Sequence, residues 1–184
     1  MATGRDQGSG KGKEIMKILV LGIGNPILSD DAVGILVVQQ LSEIEADVEE
    51  ASIGGIALLD FIRGYDKVII ADAVKSRKKR KGGKEGKEGK EEYGETAGRV
   101  SILKEEDIER ALHASSTHDV SFSEAIALGR TLFPEDMPSE IIVVGIEVQD
   151  TETFSETPTK PVQEAIPKAV ALIRTLVKNL RSRP

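Results

Sequence analysis

At 184 residues the chain has the length of one domain, and with 39% hydrophobic residues but only four Phe, two Tyr and no Trp its core must be aliphatic. The absence of cysteine excludes disulfides, thiolate metal centres, iron–sulfur clusters and a cysteine nucleophile, and fits a reducing, cytoplasmic setting. A net charge of −6 argues against a nucleic-acid partner, and the lack of any apolar run near the ~20 residues of a membrane span argues against membrane insertion.

Residues 1–14 are Gly, Ser and charged residues without periodicity, which predicts a disordered leader before a folded unit over 15–184. The apolar stretch 15–23 follows lysines as a signal sequence would. It runs, however, into Asn25-Pro26 and Ser29-Asp30-Asp31 with no small-residue cleavage site. Residues 16–22 (MKILVLG) read as a buried parallel strand. Asp30 is placed to cap a helix along which Val33, Leu36, Val37 and Leu41 recur at helical spacing. Residues 47–53 form a weaker second strand, and Gly54-Gly55 turns the chain into a helix over 56–63. Residues 67–71 (KVIIA) are the clearest buried strand, which stops at Asp72.

The segment 76–92 (SRKKRKGGKEGKEGKEE) is a rough Gly-Lys-Glu repeat that cannot bury apolar surface. Residues 75–92 carry nine Lys or Arg against four acids, a local +5 that leaves about −11 for the remainder. It is read as a flexible charged insertion at about 76–94 within a single domain, either merely solvated or an electrostatic contact for an acidic partner. Residues 99–103 predict another strand, 105–112 a short helix, and 120–132 a helical stretch entered through the loop 114–119. Residues 140–146 (EIIVVGI) are the last strand. A long amphipathic helix closes the chain from about Pro161, with Ala165, Ile166, Ala169, Ile173, Leu176 and Leu180 in one stripe and Pro167 in its first turns or kinking it. Strands alternating with helices predict an α/β fold, a three-layer α/β/α sandwich around a mainly parallel sheet of about five strands.

The turn Gly22-Ile23-Gly24-Asn25-Pro26 follows a strand and precedes a helix, as a dinucleotide fingerprint does. Yet Ile27 holds the third glycine position, and Asp30 and Asp31 would meet a pyrophosphate with two negative charges, which disfavours a nucleotide. Two consecutive aspartates exceed what capping requires. Asp72 ends a strand expected at the centre of the sheet, where an ionised carboxylate needs a partner or a ligand. Ligands of open α/β sheets gather at the carboxyl ends of the strands, and Asp31 and Asp72 share that edge. The plainer alternative is that both carboxylates only cap helices and turns. Of the two histidines, His113 closes a short helix. His118 lies in the polar loop Ser115-Ser116-Thr117-His118-Asp119, where it is either a ligand or a helix-entry residue. Asp119 either fixes its tautomer or is itself an N-cap. There is no His-Glu-x-x-His, no Gly-x-Ser-x-Gly, and nothing marks Ser115 or Ser116 as a nucleophile.

Taken in order, residues 18–34 (ILVLGIGNPILSDDAVG), Gly54-Gly55, residues 68–74 (VIIADAV), Thr117-His118, Gly145-Ile146-Glu147 and Thr157-Pro158 resemble the hydrogenase maturation endopeptidases over about residues 16–180. Ala32 stands where that family commonly has glycine. The resemblance implies an endopeptidase that trims a C-terminal extension from the large-subunit precursor of a nickel–iron hydrogenase once nickel is in place. It further implies that Asp31, Asp72 and His118 contact the nickel and form the catalytic set. The metal is expected to arrive with the precursor and to be weakly bound by, or absent from, the isolated protein. Two carboxylates and an imidazole suit an open site for a borderline divalent ion. The metal as Lewis acid, or Asp31 or Asp72 as general base, then activates the water. The alternative class is a non-catalytic metal-binding maturation chaperone on the same scaffold.

Overall fold

Strands made of Val, Ile and Leu on both faces are stable only when both faces are covered, and here they occupy the centre of the sheet. The computed structural model describes residues 15–52, 54–75, 96–104 and 121–183. Its strands are β1 (Ile18–Ile23), β2 (Asp47–Ala51), β3 (Lys67–Lys75), β4 (Val100–Lys104) and β5 (Glu140–Val148). They form one sheet in the order β2-β1-β3-β5-β4. All neighbours are parallel except β4, which runs antiparallel to β5 at one edge. At the other edge β2 buries only Ala51 and presents Asp47, Glu49 and Glu50, charges that discourage further strand pairing.

Side-chain alternation assigns the two faces. Ile18, Val20, Ile69, Ala71, Val144 and Ile146 point to one layer, formed by α1 (Val33–Val38) and α4 (Lys160–Arg181). Leu19, Leu21, Val68, Ile70 and Val143 point to the other, with α2 (Leu58–Ile62) and α3 (Phe122–Leu132). The expected α/β/α sandwich around a five-stranded, mainly parallel sheet is therefore the observed one.

Several boundaries differ from the sequence reading. The first helix is a 3-10 turn, Asp30–Ala32, leading into α1, and the second begins as a 3-10 turn, Gly55–Ala57. The N-cap of α3 is Ser121, whose hydroxyl accepts from Glu124 N–H while the Glu124 carboxylate accepts from Ser121 N–H. This reciprocal pair is a capping box. Helix α4 starts behind Thr159 with Pro161 in its first turn and runs through Pro167 without ending. Its buried stripe uses Val177, while Leu176 is half-buried, because both lie within a turn of Ile173. The expected leader 1–14, the charged insertion and the helix 105–112 lie outside the described residues.

Close contacts fix α1 and α4 in place. A Cβ at Gly34 would stand 2.2 Å from the Ile23 carbonyl oxygen and 2.3 Å from that of Ala71, so only glycine lets α1 rest on the ends of β1 and β3 together. At the far end of α4 the Arg181 guanidinium donates to the carbonyls of Met16 and Glu45, fastening the helix to the segment before β1 and to the connection before β2.

Candidate active site

In this strand order the chain leaves β1 through α1 toward β2 on one face and returns through α2 to β3 on the other. The connections diverge between the carboxyl ends of β1 and β3, and that crevice is where open α/β sheets hold ligands. Asp31 enters from the β1 side, on the 3-10 turn. Asp72 enters from β3.

The β1–β3 ladder ends at Gly22↔Ala71, so Asp72 is the first β3 residue beyond β1. The strand does not stop there, contrary to the sequence reading. Asp72 pairs with Gly145 and the ladder continues to Lys75↔Val148, because β5 still supplies partners after β1 has turned away. Alternation puts Asp72 on the face of Val68 and Ile70. Its Oδ1 accepts from the Ala73 N–H at 2.8 Å. Asp31 Oδ2 accepts from the Asn25 N–H at 2.9 Å, which ties the carboxylate to the glycine-containing turn after β1.

The two carboxyl groups feel one another. Burial pushes the Asp72 carboxyl up to about 8; the Ala73 N–H opposes this, and the negative charge of Asp31 adds to it. Asp72 thus retains its proton in neutral solution while no cation is near. A divalent ion would replace the repulsion of the pair by attraction and drive that proton off, so the donor chemistry of this pair fits a metal. Among the described residues no group of three or more His, Cys, Asp and Glu side chains is arranged to hold a metal ion. Asp31 lies near enough to Asp72 for its charge to act on it, whereas His118, with His113, Ser115, Ser116 and Asp119, lies outside the described residues.

Sequence reasoning missed the part played by Asp30. Rather than capping its own helix it is fully buried and turned toward the other end of the chain. Its Oδ2 accepts from the N–H groups of Gln149 and Asp150 and from the Thr159 hydroxyl, and its Oδ1 accepts from the Thr159 N–H at 2.6 Å. These partners lie 119 to 129 positions away, and the only local signal was the unexplained doubling of the aspartate.

A mainly parallel sheet with two acidic side chains near its switch point defines an α/β protein, and comparison with known proteins narrows the class. The sequence pattern of the hydrogenase maturation protease family matches residues 92–176. The Hydrogenase 2 maturation protease of Escherichia coli (strain K12) is 29% identical over 168 residues, 86% of this chain and 92% of the relative. Protein FrxA of Pyrococcus furiosus is 28% identical over 153 residues, 82% of this chain and 98% of the relative. Among solved structures, the E. coli hydrogenase maturating endopeptidase HybD has the same fold, with a TM-score of 0.68 and 24% identity, covering 89% of this chain and 93% of that one. The chain is thus similar in sequence and fold to the hydrogenase maturation proteases. No helix among the described residues is long and apolar enough to cross a membrane.

Proposed function

We propose that the protein is an endopeptidase that removes the C-terminal extension of a nickel-loaded hydrogenase large-subunit precursor, with Asp31, Asp72 and His118 reading the metal. The observation that carries this is the convergence of Asp31 and Asp72 at the switch point, with the Asp72 carboxyl held protonated by burial and by its neighbour. Two neighbouring carboxyl groups repel when both are ionised, and a cation between them would turn that repulsion into attraction, as expected of a site completed by the metal its substrate carries. The similarity to proteins named as hydrogenase maturation proteases supports the reaction class and a hydrogenase as the target.

Nickel held between precursor and protein would polarise the scissile carbonyl and acidify a water. The chain's own contribution is to place two carboxylates at one end of the crevice. Asp31 is fixed through the Asn25 N–H and Asp72 through the Ala73 N–H, so neither needs to reorganise when the substrate docks. Once ionised, either is available to take the proton of the attacking water.

The test is incubation with nickel-loaded and nickel-free precursor, followed by mass spectrometry. The unmodified protein should shorten only the loaded form. Asp31→Asn and His118→Ala should remain folded and cleave at least 100-fold more slowly, on the scale of losing a metal-contacting group. His113→Ala should be nearly neutral. Equal cleavage of both precursor forms refutes metal reading. Binding of the loaded precursor with no change in mass refutes the peptidase and leaves a maturation chaperone.

A further inference from the structure

The two adjacent aspartates divide their work. Asp31 is half-buried and accepts from the Asn25 N–H, while Asp30 is fully buried and accepts from three backbone N–H groups and one hydroxyl, enough to occupy the lone-pair sites of a carboxylate. Thr159 is the N-cap residue of α4, yet its hydroxyl makes no capping bond within its own helix and donates to Asp30 instead. The Asp30 carboxylate therefore lies at the positive end of the 22-residue helix α4 and at the exit of β5. The backbone around it is stitched to the same region. Asp30 N–H donates to the Asp150 carbonyl at 2.9 Å, Ser29 N–H to that of Thr153 at 3.0 Å, and Ser155 N–H to that of Ile27 at 3.1 Å.

From this geometry we infer that Asp30 is a positioning residue: its buried carboxylate transmits the placement of β5 and α4 to Asp31 and so sets where the neighbouring carboxylate stands in the crevice. The turn bearing Asp31 is supported on one side by Gly34 resting on β1 and β3, and on the other by these backbone bonds together with the Asp30 carboxylate. Removing the carboxylate leaves only the backbone bonds to hold that second side. The consequence for metal binding rests on the proposed peptidase function; the placement of Asp31 does not.

The Asn25 amide separates the two. Because Asn25 N–H donates to Asp31 Oδ2, its NMR chemical shift and hydrogen-exchange protection report where the Asp31 carboxylate stands, with no metal present. Asp31→Ala, which has no side-chain acceptor, supplies the reference for a lost contact. In metal-free, 15N-labelled protein well below the melting temperature, Asp30→Asn and Thr159→Val should move the Asn25 amide toward that reference and lower its protection. Thr159→Ser, which retains the hydroxyl, should restore both. Titration with Ni2+ should show affinity reduced about tenfold or more in Asp30→Asn, and restored in Thr159→Ser relative to Thr159→Val. Should Asp30→Asn fail to fold, Thr159→Val decides, since it keeps the carboxylate and removes one donor. A lowered melting temperature with the Asn25 amide unchanged in the folded variants overturns the inference and leaves Asp30 a structural weld. If the unmodified protein binds no Ni2+ while the Asn25 amide responds as expected, the metal reading fails and the positioning role stands.

Discussion

Replacing Asp72 by asparagine should make the metal-free protein more stable at alkaline pH. Asparagine keeps the Oδ1 that accepts the Ala73 N–H but carries no charge to bury. The folded Asp72 carboxyl titrates near 8 rather than at its ordinary 3.8, so between those values the folded state holds a proton that the unfolded state has released. Stability consequently falls as pH rises through that window, is highest below it, and is not regained above it. Each pH unit corresponds to about 1.4 kcal/mol, which gives a ceiling of roughly 6 kcal/mol for the whole window. Asp72 retains some contact with solvent, and screening with local relaxation brings the expected gain to about 2–3 kcal/mol. For a chain of this length that is about 5–10 °C in melting temperature. Thermal unfolding of both proteins with a chelator present, at pH 4.5, 6.5 and 8.5, should show a difference that is small at the acid end and grows with pH. An equal difference at all three values, or a less stable variant at pH 8.5, would refute the burial argument.

Three further changes probe the supports of the site. Gly34→Ala should cost about 3 kcal/mol or more despite alanine's better helix propensity, since its Cβ would collide with the carbonyl oxygens of Ile23 and Ala71; urea unfolding would read this directly. Gly54→Ala is the matched control: among the described residues nothing lies within 4 Å of the added carbon and the backbone is extended, so its stability should stay within about 0.5 kcal/mol. Ser121→Ala removes the hydroxyl half of the α3 capping box and should cost about 1 kcal/mol, with faster amide exchange confined to the first turn of that helix.

Much of the layer architecture was readable because it follows from periodicity. The runs before Gly22 and Asp72 have no polar face, and the spacing of Ile166, Ala169, Ile173 and Leu180 admits one buried stripe. What periodicity cannot carry is who pairs with whom. The extension of β3 past Asp72 depends on β5, some seventy residues away, and the antiparallel direction of β4 is a property of the pair. Asp31 and Asp72 could be matched in advance because each follows a strand that must be central, and central parallel strands share one carboxyl edge. Asp30 could not, since an aspartate opening a helix looks like an N-cap and its actual donors arrive from the β5 exit and the start of α4. The choice between Leu176 and Val177 was open for a similar reason: either fits a helical turn, and the packing decides.

The course of α4 has a practical consequence for handling the protein. Its first residues sit against Asp30 at the crevice end of the sheet, and its 22 residues span about 33 Å to Arg181, which grips Met16 and Glu45 at the opposite end. A surface linker or fluorophore attached just beyond Arg181 is therefore carried on the side of the molecule away from Asp31 and Asp72. A sensor chip loaded in that orientation would leave the crevice facing solution for a bulky precursor.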